Sequence, residues 1–261
     1  MKIGAQLYTA HSRLTNLEDF DAGLGKVAEI GYKAVQVSGT CEYDPFWLRD
    51  ALSKHDLICP LTHIAPQKLM DDALQVVNDH KVFGCAHIGI GGMPVEMRDT
   101  LEGYEKFRDT FLPIAKLLRD HGCKLMYHNH WFEFDKLDGK DVIERLLEDF
   151  PEDTLGFTLD LGWAAFAGKD VLALIEAMKG RLDRVHLKDY ADMPADGSID
   201  TLAYLRPIYE GKLDYTAYIN ALKSSGAEYA FVEQDWCYGE DEYECLKRSF
   251  DHVTSRFPDM K

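Results

Sequence analysis

MYHNHWFEF (residues 126–134) ends an otherwise apolar run with His128, Asn129 and His130, followed by Glu133. Read literally, His-Asn-His suggests a nuclease. Read in place, a buried strand that turns polar at its C-terminal end describes the mouth of a (β/α)8 barrel, where active sites are built. The two readings are separated by the rest of the chain.

Apolar runs of strand length recur from end to end: KIGAQLYT (2–9), AVQVSG (34–39), CPLTHIA (59–65), AHIGIGG (86–92), KLMYHNH (124–130), LGFTLDLGW (155–163), RVHLKDY (184–190) and YAFVEQDW (229–236). Amphipathic helical stretches lie between them. LEDFDAGLGKVAEIG sets Leu17, Phe20, Leu24, Val27 and Ile30 at helical spacing and stops at a glycine. LEGYEKFRDTFLPIAKLLRDHG and DYTAYINALKSSG stop in the same way. Strand–helix alternation implies a parallel sheet with helical crossovers. Eight such units favour closure, and no Gly-x-Gly-x-x-Gly turn follows a strand as an open dinucleotide-binding sheet requires. The expected fold class is therefore α/β, a single (β/α)8 TIM barrel over residues 1–261, close to the roughly 250 residues such a barrel needs. No Pro/Ser/Gly linker marks a domain boundary. The longest irregular piece, ADMPADGSID (191–200), follows the seventh strand and belongs over the barrel mouth.

Hydrophobic residues make up 46% of the chain, enough for a large core. Lys and Arg total 29 against 45 Asp and Glu, and the resulting charge of −16 repels phosphate backbones and anionic lipid. The expected partner is a small molecule, with neither nucleic acid nor membrane, and self-association into a homo-oligomer left open. Cys41, Cys59, Cys85, Cys123, Cys237 and Cys245 are scattered without a Cys-x-x-Cys pair, which reads as reduced cysteines in a cytoplasmic protein. MKIGAQLYTAHS shows no signal sequence, and no stretch is apolar enough to span a membrane.

Parallel strands are nearly continuous apolar runs, so the polar residues at the ends of strands five to eight need a purpose. They are His128, Asn129, His130 and Glu133; Asp160; His186, Lys188 and Asp189; and Glu233, Gln234 and Asp235. Burying several carboxylates together is costly unless something positive neutralises them. One divalent ion (Mn²⁺, Mg²⁺, Co²⁺ or Zn²⁺) answers that need, and the absence of cysteine from the set argues against a structural zinc. Each residue taken singly also reads as a cap or a backbone partner; four adjacent strands doing so together make that the weaker account. His63, Tyr8 and Gln36 point to the same mouth. Trp163 and Trp236 follow the acids of strands six and eight, placed to stack on a sugar or to pack the rim.

IGAQLYT, EIGYKAVQVSG, YHNHWFEF, LDLGWAAFAGKD, GRLDRVHLKD and FVEQDW together resemble the sugar phosphate isomerase/epimerase superfamily, the xylose isomerase-like TIM barrels. The pairing of His-Asn-His-x-x-Glu-Phe with Val-Glu-Gln-Asp resembles one subgroup within it. The resemblance implies one divalent ion held by a Glu, an Asp, a His and a final Glu from strands five to eight. Asp160, His186 and Glu233 fall on the last three. The first slot falls on Tyr127, a poor ligand for a hard ion, so the expected fourth ligand is Glu133, with His128 or His130 as the substitute. The implied activity is a sugar isomerase or epimerase acting on a sugar, keto-sugar or cyclitol by proton abstraction beside a carbonyl that the ion chelates. The alternatives are a lyase or dehydratase of the inosose dehydratase kind on a keto-sugar or keto-glycoside, and a non-catalytic sugar-binding barrel. Glu133, Glu233 and Lys188 are the expected catalytic residues; His63, His128, His130, Trp163, Trp236 and Tyr8 are the expected substrate contacts. The superfamily's AP endonuclease branch needs three metals and more ligands than this chain offers.

Overall fold

The computed structural model describes residues 1–195 and 197–261. Eight parallel strands close into a barrel: β1 Lys2–Gln6, β2 Ala34–Val37, β3 Ile58–Ile64, β4 His87–Ile90, β5 Lys124–His128, β6 Leu155–Asp160, β7 Arg184–Leu187 and β8 Tyr229–Val232. Each strand pairs with its neighbour in sequence, and β1 closes the ring on β8, with Ala5 beside Val232. All eight expected strands are present, and every one ends before the last residue of its expected span. Helices surround the barrel, among them α1 (Leu17–Ile30), α4 (Leu101–Asp120) and α8 (Tyr215–Ser225). Gly31 and Gly226 stop α1 and α8 in the left-handed conformation that the absence of a Cβ makes cheap.

The inner side of the barrel follows from the two-residue period of a strand. Ala34, Leu61, Met126 and Phe231 pack on one another from four strands as an apolar plug. Two residues further along those same strands stand Gln36, His63, His128 and Glu233, so the polar layer rests directly on the plug. Gly4 makes room for it, since a Cβ there would lie 2.5 Å from the Phe231 ring. Gly89 does the same one layer higher, 2.6 Å from the His63 ring.

Beyond the strand ends the chain turns sharply. Helix α6 (Leu161–Phe166) starts at once after Asp160, whose side chain accepts from the Trp163 amide, so the residues 161–163 expected as strand are helical. After β7, Asp189–Ala191 pairs antiparallel with Tyr204–Arg206 in a ribbon at the barrel mouth. Within the irregular stretch 191–200, Asp196 lies outside the described residues. Among the described residues, no helix is long and apolar enough to cross a membrane.

Candidate metal centre

One ligand atom from each of His128, Asp160, His186 and Glu233 lies within 4.8 Å of the others, and all four residues are buried. His128 Nε2 stands 3.5 Å from Asp160 Oδ2. His186 Nδ1 stands 3.8 Å from that same oxygen and 2.8 Å from Glu233 Oε2. Among the described residues, these four inward atoms face only one another and the Lys188 ammonium. On three of the residues the outward atom is engaged. His128 Nδ1 faces the Gly91 carbonyl at 3.2 Å, His186 Nε2 faces Gln36 Oε1 at 2.6 Å, and Asp160 Oδ1 accepts from the Trp163 amide at 2.8 Å. Donating outward fixes each imidazole in the tautomer whose lone pair points into the site, the usual support for a ligating histidine. A lone pair and a carboxylate oxygen 2.8 Å apart repel unless a proton or a metal ion lies between them. Two imidazoles and two carboxylates with converging inward atoms fit a divalent ion of borderline character.

The surrounding charges agree. The Lys188 ammonium, fully buried, lies 3.0 Å from Asp160 Oδ2, 3.0 Å from Glu233 Oε2 and 2.8 Å from Asp235 Oδ2. With the imidazoles neutral, as ligation requires, three carboxylates against one ammonium leave two buried negative charges, which one divalent ion cancels. Burial works against ionising Asp160 and Glu233, yet Lys188 and the imidazoles hold both carboxyls well below their ordinary range. Burial likewise opposes the charge on Lys188, and the three carboxylates overcome it. Burial pushes His128 down to about 4 despite Asp160. His186 moves the other way: burial lowers it, but Glu233 and Asp160 raise it to about 9.

Strand five departs from the expectation. Glu133, expected as the fourth ligand, stands outside the group: its Oε1 accepts from the Tyr127 hydroxyl at 3.1 Å and its Oε2 from the His130 amide at 2.8 Å. The substitute, His128, supplies the inward atom instead. Asn129 joins neighbouring strand ends, accepting from the Asp160 amide at 2.9 Å and donating to the Asp160 carbonyl at 3.3 Å. His-Asn-His is thus one inward imidazole, one splint and one mouth residue. His130 keeps a buried Nδ1 without a hydrogen bond, 3.8 Å from Glu133 Oε2.

The other expected residues gather at the same mouth. The His63 ring lies 5.2 Å from that of His128 and 5.4 Å from that of His186. Burial, with these two neighbours, holds it well below its ordinary value and therefore neutral, and its Nε2 has no hydrogen-bond partner among the described residues. Trp163 is buried with its indole nitrogen unpaired, its ring 4.7 Å from the Lys188 ammonium and 4.9 Å from Trp131. Trp236 and Tyr8 are 38% and 37% exposed, so they offer open aromatic surface at the rim. Sequence reasoning left Gln36 and Asp235 without a role. The signal was available: each stands two residues past an inward neighbour, Ala34 and Glu233.

Comparison with known proteins agrees with this architecture. Inosose dehydratase 2 of Bacillus cereus is 26% identical over 113 residues, 43% of this chain and 37% of that protein. Inosose dehydratase of Geobacillus kaustophilus is 25% identical over 193 residues, 65% of this chain and 61% of that one. Both matches span less than two thirds of the relative. A sugar phosphate isomerase/epimerase from Parabacteroides distasonis superposes with a TM-score of 0.80 at 17% identity, covering 97% of this chain and 96% of that one. The IOLI protein, solved with a bound zinc atom, superposes at 0.71 with 15% identity, covering 100% and 99%. The model of the xylose isomerase-like TIM barrel matches residues 24–248, and the chain belongs to that family.

Proposed function

We propose that the protein is a divalent-metal-dependent enzyme that removes the proton beside the carbonyl of a keto-sugar or keto-cyclitol and completes the reaction by eliminating water. The observation that carries this reading is the set of four converging ligand atoms next to a buried ammonium. His128, Asp160, His186 and Glu233 would hold the ion, which when bound supplies Lewis-acid polarisation of the carbonyl. Glu233 is the carboxylate at hand to accept the proton and to pass it to the departing hydroxyl, which leaves as water as the carbon–carbon double bond forms. Lys188, held protonated, is placed to stabilise the oxyanion that forms as the proton leaves, an electrostatic role that acts mainly in the transition state. His63 Nε2, His130 Nδ1 and the Trp163 indole nitrogen are unpaired polar atoms suited to substrate hydroxyls, and Trp236 and Tyr8 offer the apolar sugar face a place to stack.

Elimination is favoured over epimerisation because Glu133, the acid that follows strand five, is committed to Tyr127 and His130. An epimerase needs a proton acceptor on each face of the substrate. The inosose dehydratases among the relatives support the same branch. One observation favours a second reading: the neutral, unpaired His63 offers a second acceptor, and with it the protein is an isomerase or epimerase.

The test is incubation of protein, Mn²⁺ and a panel of inososes and keto-sugars in D₂O. Net loss of water supports the lyase. Recovered sugar with deuterium beside the carbonyl supports the isomerase. Neither consumption nor exchange across the panel removes the enzymatic reading and leaves a non-catalytic sugar-binding barrel.

A further inference from the structure

The Lys188 ammonium and a bound ion want the same two oxygens. Asp160 Oδ2 and Glu233 Oε2 face the imidazoles, and each also lies 3.0 Å from Lys188 Nζ. A cation pair sharing both oxygens repels strongly at such short range in a buried site. The chain provides a third place for the ammonium. Asp235 Oδ2 lies 2.8 Å from Lys188 Nζ, closer than either ligand oxygen. Among the described residues it is paired with Lys188 alone, and Asp235 is not a member of the ligand group. The Trp163 ring supports the ammonium from another side at 4.7 Å. The Lys188 backbone is fixed, since the Tyr215 hydroxyl accepts from its amide at 2.8 Å and donates to its carbonyl at 2.6 Å. Any movement of the ammonium is therefore a side-chain rotation between these partners.

We propose that Asp235 is a positioning residue that draws the Lys188 ammonium off the two ligand carboxylates, leaving Asp160 and Glu233 to a bound ion instead of to Lys188. The assignment rests on the metal reading above and deepens it. Without Asp235, the ligand oxygens are the only carboxylates among the described residues that pair with Lys188, and it becomes a competitor for the metal site.

The test is calorimetric titration of Mn²⁺ into the wild type, Asp235→Asn, Lys188→Met and the double variant, each checked for folding by circular dichroism. Asp235→Asn weakens Mn²⁺ binding about tenfold when Lys188 is present, and by less than about threefold when residue 188 is methionine, because contacting residues are coupled. Lys188→Met alone binds Mn²⁺ at least as tightly as the wild type. Asp235→Glu, which keeps a carboxylate within reach, stays within about threefold of the wild type. Equal weakening in both backgrounds shows that Asp235 acts only through its charge and overturns the assignment, as does Mn²⁺ binding unchanged in Asp235→Asn. Should Asp235→Asn fail to fold, weaker binding in Lys188→Met overturns it independently. A wild type that takes up no Mn²⁺ at all overturns the metal reading itself, an outcome distinct from the others.

Discussion

His186 is where a proton and the proposed ion compete. Without an ion, Glu233 and Asp160 raise it to about 9, so at neutral pH a proton sits on the nitrogen that ligation needs. Metal binding must release that proton. Mn²⁺ affinity is therefore expected to climb about tenfold per pH unit through neutrality and to level off near pH 9, with about one proton released as read by calorimetry in buffers of different ionisation enthalpy. An affinity that stays flat with pH across neutrality contradicts this. The metal-free fold follows the opposite sign. Its raised imidazole contributes stability that is fully present below about 6.5 and is lost as pH rises through about 9. Glu133 and His128 give a second residue-scale test. Glu133→Gln keeps oxygen and shape outside the ligand group, so Mn²⁺ affinity is expected to change by less than about threefold. His128→Ala removes a ligand, and a loss of about a hundredfold is expected. Glu133→Ala should also cost about 2–4 kcal/mol of stability in urea unfolding, since it strands the buried Tyr127 hydroxyl and an amide. The sequence reading placed Glu133 first because the slot expected to hold an acid falls on Tyr127. What it lacked was the knowledge that a tyrosine six residues earlier and an amide three earlier already hold that carboxylate.

At the scale of elements, periodicity was legible where it lasts and failed where it stops. The glycine-terminated helices and the strand cores follow from apolar spacing, and Ala34/Gln36, Leu61/His63, Met126/His128 and Phe231/Glu233 follow from the strand period. The strand ends did not follow, because Asp160 is at once the last residue of β6 and the cap of α6. One side chain ends one period and begins the other. The close approach of α6 to β7 was also hidden. A Cβ on Gly162 would run into the Lys188 carbonyl oxygen, a backbone atom that the Tyr215 hydroxyl already holds. Gly162→Ala is therefore expected to destabilise the protein by about 1–3 kcal/mol and to weaken Mn²⁺ binding together with stability, because it pushes β7 where His186 and Lys188 stand. Unfolding and titration measured on the same preparation decide this; a variant with normal stability and normal affinity rules it out.

For the whole molecule, the barrel concentrates at one end what its core cannot tolerate. The apolar plug supports the closed sheet, and on top of it rest three carboxylates that Lys188 and a protonated His186 cancel only in part. Ligand-free folding must bear that charge, and an ion that binds only the folded chain returns the stability through mass action. At a free concentration of about one hundred times its dissociation constant, a single ion stabilises the fold by about 2.7 kcal/mol. For a chain of this length, that corresponds to a rise of about 5–10 °C in melting temperature. Mn²⁺ is expected to produce such a shift and EDTA to reverse it. The shift should be absent in His186→Ala, which leaves only part of the ligand set. Because the charges are buried rather than exposed, moderate salt should not replace the ion: screening by about 0.2 M NaCl acts on the acidic exterior and reaches the ligand oxygens weakly. A melting temperature that responds to NaCl as strongly as to Mn²⁺ would place the effect on the acidic surface and take it away from the barrel mouth.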